Sequence, residues 1–430
     1  MAAFAHLLRE NRNYRWTWCG QVVSEIGDHF NNIAVFSLAL ANTGSAMVVS
    51  GVMLSRAIPM VLAGPLAGIA LDRLDRKRIM IASDLARAAI AAGFILTIDR
   101  GHTWLLYLLS ALLMFASPFF TSGRASILPT IASRAQLHTA NSLTQTTQWT
   151  TLTIGTLAAG ASVAQFGYRG AFLFNALSFL FSAACIARLR AASSFRAERR
   201  DLGEDRVLRP WHEYAEGLRY MRTTPLVFAI GLVHVGWATG GGAAQILFSL
   251  FGEVVFRRGA AGIGTIWGSA GAGLLVGGAF AHRLGRRIGF SGYKRAIWIC
   301  YIIHGGAYVL FSQVEQYWLA LVFIGLSRAA VAVSSVLNFT QLLRHIPDAY
   351  RGRVFATIET LTWTTMMVSM TAAGLAAGTW GPRAIGAASG LLSSSTAALW
   401  IWANWKGRMG EPPAVGVGPE EVEVHGDPTV

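Results

Sequence analysis

Two carboxylates, Glu25 and Asp28, stand in the middle of the apolar stretch GQVVSEIGDHFNNIAVFSLAL, residues 20 to 40. On a helix Gln21, Glu25, Asp28 and Asn32 recur at i, i+4, i+7 and i+11, which makes one polar stripe. Inside a bilayer an ionisable side chain costs at least about 2.5 kcal/mol, so the stripe must face a cavity or a neighbouring helix. Such a carboxylate is suited to one of two tasks. It either binds a proton or substrate during a cycle, or it holds a cation permanently. Arg56 is the expected cation, because it falls at about the depth of Asp28 when counted back along its own helix from Asp72.

Other polar residues in apolar runs are weaker candidates. Arg328 is expected to face the interior and to meet substrate or an acid. Glu359 is either a second proton site or a partner of Arg353. Gln145, Gln148 and Trp149 either line a cavity for an amphipathic ligand or pack between helices. His234 and His304 read as packing residues, and GWATGGGAAQ, from Gly236, reads as a hinge or a close-packing face.

The elements that carry these residues are membrane helices. The chain has 430 residues, 53% hydrophobic and 13% charged, where soluble domains carry about 25% charged residues. Twelve apolar runs approach or exceed the roughly 20 residues a crossing needs: 14–42, 48–71, 79–98, 103–123, 138–164, 168–188, 225–252, 260–282, 293–312, 316–343, 352–378 and 383–405. The first is too long for a cleaved leader and is expected to stay. The net charge of +14 is concentrated in alternate loops, including nine Arg between Arg188 and Arg222. By the positive-inside rule both termini are then cytoplasmic, at a plasma (inner) membrane, and the charge implies no nucleic-acid partner. Cys19, Cys185 and Cys300 are isolated and form no metal-ligand spacing.

A polar interruption divides the runs six and six. The expected organisation is an all-α membrane protein with an N-terminal bundle over 1–190, a cytoplasmic linker over 191–224, a C-terminal bundle over 225–408 and a disordered tail over 409–430. Within the linker, Trp211, Tyr214, Leu218 and Met221 share one side of a helix expected to lie on the inner membrane surface. The halves are repeats: GIALDRLDRK, Gly68 to Lys77, aligns with GAFAHRLGRR, Gly278 to Arg287. Parallel repeats of this kind enclose a site between them. In the first copy the charges of Asp72, Arg73, Arg76 and Lys77 lie where two helix ends meet, so they form either a plain cytoplasmic anchor or a latch that exists in one conformation. Gly64 and Gly68 would admit a close helix neighbour there.

This loop resembles the signature Gly-x-x-x-Asp-Arg-x-Gly-Arg-Arg/Lys of the major facilitator superfamily, with Asp75 in place of the usual Gly. The second copy keeps Gly278, Arg283, Gly285, Arg286 and Arg287 and has His282 in the Asp place. GQVVSEIGD, GRASILPTIASRAQLHTANSL and QLLRHIPDAYRGRVFA are further similar to the enterobactin-exporter and macrolide-efflux branch. The resemblance implies twelve helices in two six-helix bundles and export of a small amphipathic substrate by alternating access and proton antiport. It implies no cofactor beyond the proton gradient, and the protein is expected to act as a monomer among membrane lipids. Its antiporter motif is reduced to Gly155 and Gly160, with Thr156 in the Pro position, and Arg124 counts as lying near the inner end. The competing readings are an importer, a uniporter or a lysophospholipid flippase on the same scaffold. No phosphate-binding loop, His-Glu-x-x-His site or nucleophile elbow occurs, so an enzyme is not expected.

Overall fold

The computed structural model describes residues 2–190 and 210–412, and in them the chain is helical. A short α1 (Ala2–Glu10) leads into α2 (Arg12–Thr43), α3 (Ala46–Arg73), α4 (Arg76–Gly93), α5 (Thr103–Ile131) and α6 (Arg134–Ala187). After the linker come α7 (Pro210–Thr223), α8 (Pro225–Leu250), α9 (Gly259–Gly285), α10 (Phe290–Gln313), α11 (Tyr317–His345), α12 (Asp348–Ala376) and α13 (Pro382–Trp405). Linker residues 191–209 and tail residues 413–430 lie outside the described residues.

Among the described residues nine segments are long and apolar enough to cross a membrane, against twelve expected runs. The difference has two physical causes. Helices α2 and α12 are 32 and 29 residues long, but Glu25, Asp28, Asn31 and Asn32 in one, and Arg351, Arg353 and Glu359 in the other, lower their hydropathy. Helix α6 runs 54 residues, far longer than the roughly 20 of one crossing, and breaks at Gly167, whose φ of 73° and ψ of −179° suit a residue without Cβ.

Helices α2 to α6 pack largely on one another, as do α8 to α13. At the end carrying the basic loops each group has its own apolar core. One is built around Tyr14, Met80 and Phe120, the other around Met221, Tyr293 and Trp400. At the far end a single core runs through both groups, from Phe30, Phe94 and Phe172 to Phe248 and Phe311. Two hydrogen bonds join the groups there: Ser37 Oγ donates to Glu253 Oε2 at 3.2 Å and Ser50 Oγ to the Met370 carbonyl at 3.1 Å. Helices α6 and α9 meet at Gly160 and Gly264, where a Cβ on Gly264 would lie 2.4 Å from the Thr156 carbonyl oxygen.

That contact makes a prediction. Overpacking costs about 1–3 kcal/mol, so Gly264→Val should shift the population toward a far-end-open form about 5- to 150-fold. Labelling of a cysteine placed at Ser37 by a membrane-impermeant maleimide should rise accordingly. Unchanged labelling would mean the far-end contact is not a gate.

The linker helix departs from expectation. Among the described residues of α7 the buried ones are Gly217 and Met221, set against the Arg353 backbone of α12 and against Gly231 of α8, so α7 packs on protein there instead of lying only on a membrane surface. The Trp211 side chain lies outside the described residues. The stretch from Gly236 is a close-packing face: a Cβ on Gly240 or Gly242 would meet the Ser389 or Met366 carbonyl at 2.1 or 2.2 Å. Met409, assigned to the tail, is buried, and its carbonyl accepts from Lys294 Nζ at 3.0 Å.

Candidate functional site

Helix α2 positions the polar stripe by close approach to α6. Gly27 lies against Ser178 and Asn175, where a side chain would collide, and Gly20 against Ser182 and Cys185, where a Cβ would be tight at 3.3 Å. Gln21 is buried and its Nε2 donates to Glu25 Oε1 at 2.8 Å. Thr151 Oγ1 donates to Glu25 Oε2 at 2.8 Å, and Arg124 Nη1 lies 3.6 Å from Glu25 Oε1. Glu25 is therefore held by three groups from α2, α5 and α6. Arg124, counted from sequence as an inner-end residue, is its ion partner.

The expected pairing of Arg56 with an acid is not formed. Arg56 Nη1 donates instead to Asn32 Oδ1 at 2.6 Å, and its guanidinium lies 5.2 Å from the Phe36 ring centroid. Asp28 makes no hydrogen bond or ion pair with any described residue. The charges whose fields reach it are Arg87, Glu25, Arg56 and Asp84. Asp84 and Arg87, one turn apart on α4, form a buried ion pair, with Arg87 held between Phe120 and Phe179 at 4.5 and 4.3 Å from the ring centroids. Sequence reasoning passed over this pair, although opposite charges at i and i+3 inside an apolar run were its signal.

Two cavities lie between the helix groups. The deeper one, about 250 Å³, is lined by Asn32, Arg56, Trp267, Trp363 and a set of methionines. The other, about 520 Å³ and nearer the basic end, is lined by Gln145, Trp149, His234, Phe339, Glu359 and Trp363. Trp363 borders both. Gln148 is exposed and lines neither. Glu359 does not pair with Arg353, whose Nη1 lies 2.7 Å from Glu216 Oε2 on α7. The reason is helical phase: six residues turn about 600°, which puts the two on different faces. Arg328 is buried against Phe248, 5.1 Å from its centroid, and forms no ion pair among the described residues. His234 bonds the Ile230 carbonyl, and His304 is satisfied by Ser327 and Ser393, so His304 packs as expected.

The basic loops are unlike one another. After α3, Asp75 caps α4 by accepting from the Arg78 amide, which is why a carboxylate serves where the signature has Gly. Arg76 donates to the Leu71 and Ser126 carbonyls and Lys77 to those of Ala187 and Leu189, tying α4 to α3, α5 and α6. The Asp72 side chain lies outside the described residues, and Arg73 is exposed. In the second copy His282, Arg283, Arg286 and Arg287 are exposed, while Gly278 lies under Trp149, 2.7 Å from where its Cβ would stand. Gly64 and Gly68 face open space, not the close neighbour expected of them.

Comparison with known proteins agrees with this architecture. An uncharacterized MFS-type transporter of Bacillus subtilis, YfiS, is 24% identical over 387 residues, spanning 86% of this chain and 88% of its own. Macrolide efflux protein A of Streptococcus pyogenes is 34% identical over 124 residues, 28% of this chain and 30% of that one. Among solved structures, a bacterial homologue of the iron transporter ferroportin in an inward-facing state superimposes with a TM-score of 0.66 at 18% identity, over 90% of this chain and 98% of that one. That likeness is one of fold. The sequence model of the Major Facilitator Superfamily matches residues 17–363, and with helices grouped about central cavities the chain belongs to that superfamily of multi-pass membrane transporters.

Proposed function

We propose that this protein is a secondary active exporter of a hydrophobic or amphipathic small molecule, working by alternating access and proton antiport. The observation that carries the reading is the shared core at the far end opposed to separate cores at the basic end, with cavities between. A molecule built this way can seal one end while the other admits a ligand. Twelve crossings as two homologous bundles, 1–190 and 225–408, follow when α6 counts twice and α2 and α12 are included. The basic loops at that end support reading the wider cavity as the cytoplasmic one. The partial match to a macrolide efflux protein supports export, and Asp28, the one of Glu25, Asp28 and Asp84 without a partner, is the proton carrier.

A susceptibility and metabolite-export screen of cells with and without the protein supplies a substrate. In everted vesicles acidified inside, that substrate should accumulate in the lumen, and collapsing the gradient should release it. Accumulation in the opposite sense would make the protein an importer.

A further inference from the structure

We propose that the deep cavity holds its ligand by an acceptor oxygen, a carbonyl or a carboxylate, with Arg56 as the anchor, and that it disfavours amines and quaternary cations. The proposal rests on the transporter reading above and names the class of molecule carried. Among the described residues no acidic side chain lines this cavity, and Arg56 is the only charged one in its wall. Its partner Asn32 occupies a single nitrogen, Nη1, while Nε and Nη2 have no hydrogen-bond partner. A guanidinium is built to grip an oxygen pair through two parallel donors, so the missing acceptors have the geometry of a carboxylate or of closely set carbonyls.

The facing wall is donor-rich as well. Trp267, on α9, borders the cavity with its Nε1 unpartnered. Phe248 packs in a T-shaped contact with Trp267, their centroids 4.9 Å apart, and the Arg328 guanidinium lies 5.1 Å from the Phe248 centroid. The acids stand elsewhere: Glu25 with Arg124, Asp84 with Arg87, Glu359 across Trp363 in the wider cavity, and Asp28 outside the lining. Apart from the uncharged polar groups of His29, Thr156 and Gln245, the rest of the wall is pliant and apolar, with Met53, Met60, Met114, Met366 and Met370, and is suited to the body of an amphipathic molecule.

The test is equilibrium binding to the purified full chain in nanodiscs, with naphthylacetate, its methyl ester and naphthylmethylamine as probes. The acid and ester should bind at least about tenfold more tightly than the amine, and Arg56→Met should remove that preference. A preference for acid over ester identifies a carboxylate ligand, and equal binding identifies a carbonyl ligand. Arg56→Met replaces an unpaired cation by an apolar chain, and its thermal unfolding midpoint reports whether it is folded. Trp267→Phe removes the facing donor alone and should weaken acid and ester severalfold, so the proposal stays testable if Arg56→Met does not fold. The proposal is overturned if the amine binds as well as the acid, if neither oxygen probe binds, or if folded Arg56→Met keeps the preference. Binding needs no gradient, so it can hold where transport direction contradicts export, and it can fail where export stands.

Discussion

Asp28→Asn is expected to reduce substrate accumulation driven by a pH gradient to the level of protein-free vesicles, while the purified protein stays folded. The amide keeps the size of the carboxylate and cannot ionise, so it carries no proton through the cycle. Asp28 is the residue to change because it has no bond to lose: no described residue donates to it or pairs with it. Arg56, the natural counter-charge, is engaged with Asn32 one turn along α2. Protonation of Asp28 can therefore bias the equilibrium between forms open to either side through its field on Arg56 and Arg87. Glu25→Gln should cost less coupling, since Glu25 is fixed by Gln21, Thr151 and Arg124. Full gradient-driven accumulation by Asp28→Asn would exclude Asp28 as the coupling group.

The largest effect on stability should come from the Asp84–Arg87 pair. Both side chains are almost wholly buried, and removing one partner leaves the other as an uncompensated charge, at about 3–5 kcal/mol. Arg87→Met should therefore lower the unfolding midpoint in detergent sharply. It also removes the guanidinium held between Phe120 and Phe179, which joins α4 to α5 and α6. The double change Asp84→Leu with Arg87→Met should recover most of the loss, because an apolar pair of similar volume meets no desolvation cost. If Arg87→Met alone leaves the midpoint unchanged, the pair is not structural.

How much of this was legible in the sequence depended on whether a feature is one-dimensional. Helix positions follow from runs of apolar residues, and the stripe of Gln21, Glu25, Asp28 and Asn32 follows from spacing along one helix. Pairings between helices do not, because depth along the membrane fixes one coordinate and leaves the rotation of each helix free. Helix counting puts Arg56 at the depth of Asp28, yet its rotation brings it to Asn32. Arg124 was counted as too shallow, but its long side chain reaches Glu25. The Glu359–Arg353 pairing was different, since the six-residue interval already argued against it. Gly64 and Gly68 illustrate a further limit: a sequence encodes every state of a moving protein, and in this conformation the neighbour they would admit is absent.

Proton-coupled export is tested most directly by following proton and substrate together in everted vesicles that carry a pH-sensitive dye in the lumen. With no imposed gradient, substrate moving inward should carry protons outward, so the lumen should become alkaline as substrate enters. The Asp28→Asn protein should show no such change. Substrate entry with an unchanged lumen, or with acidification in the same direction, would contradict antiport.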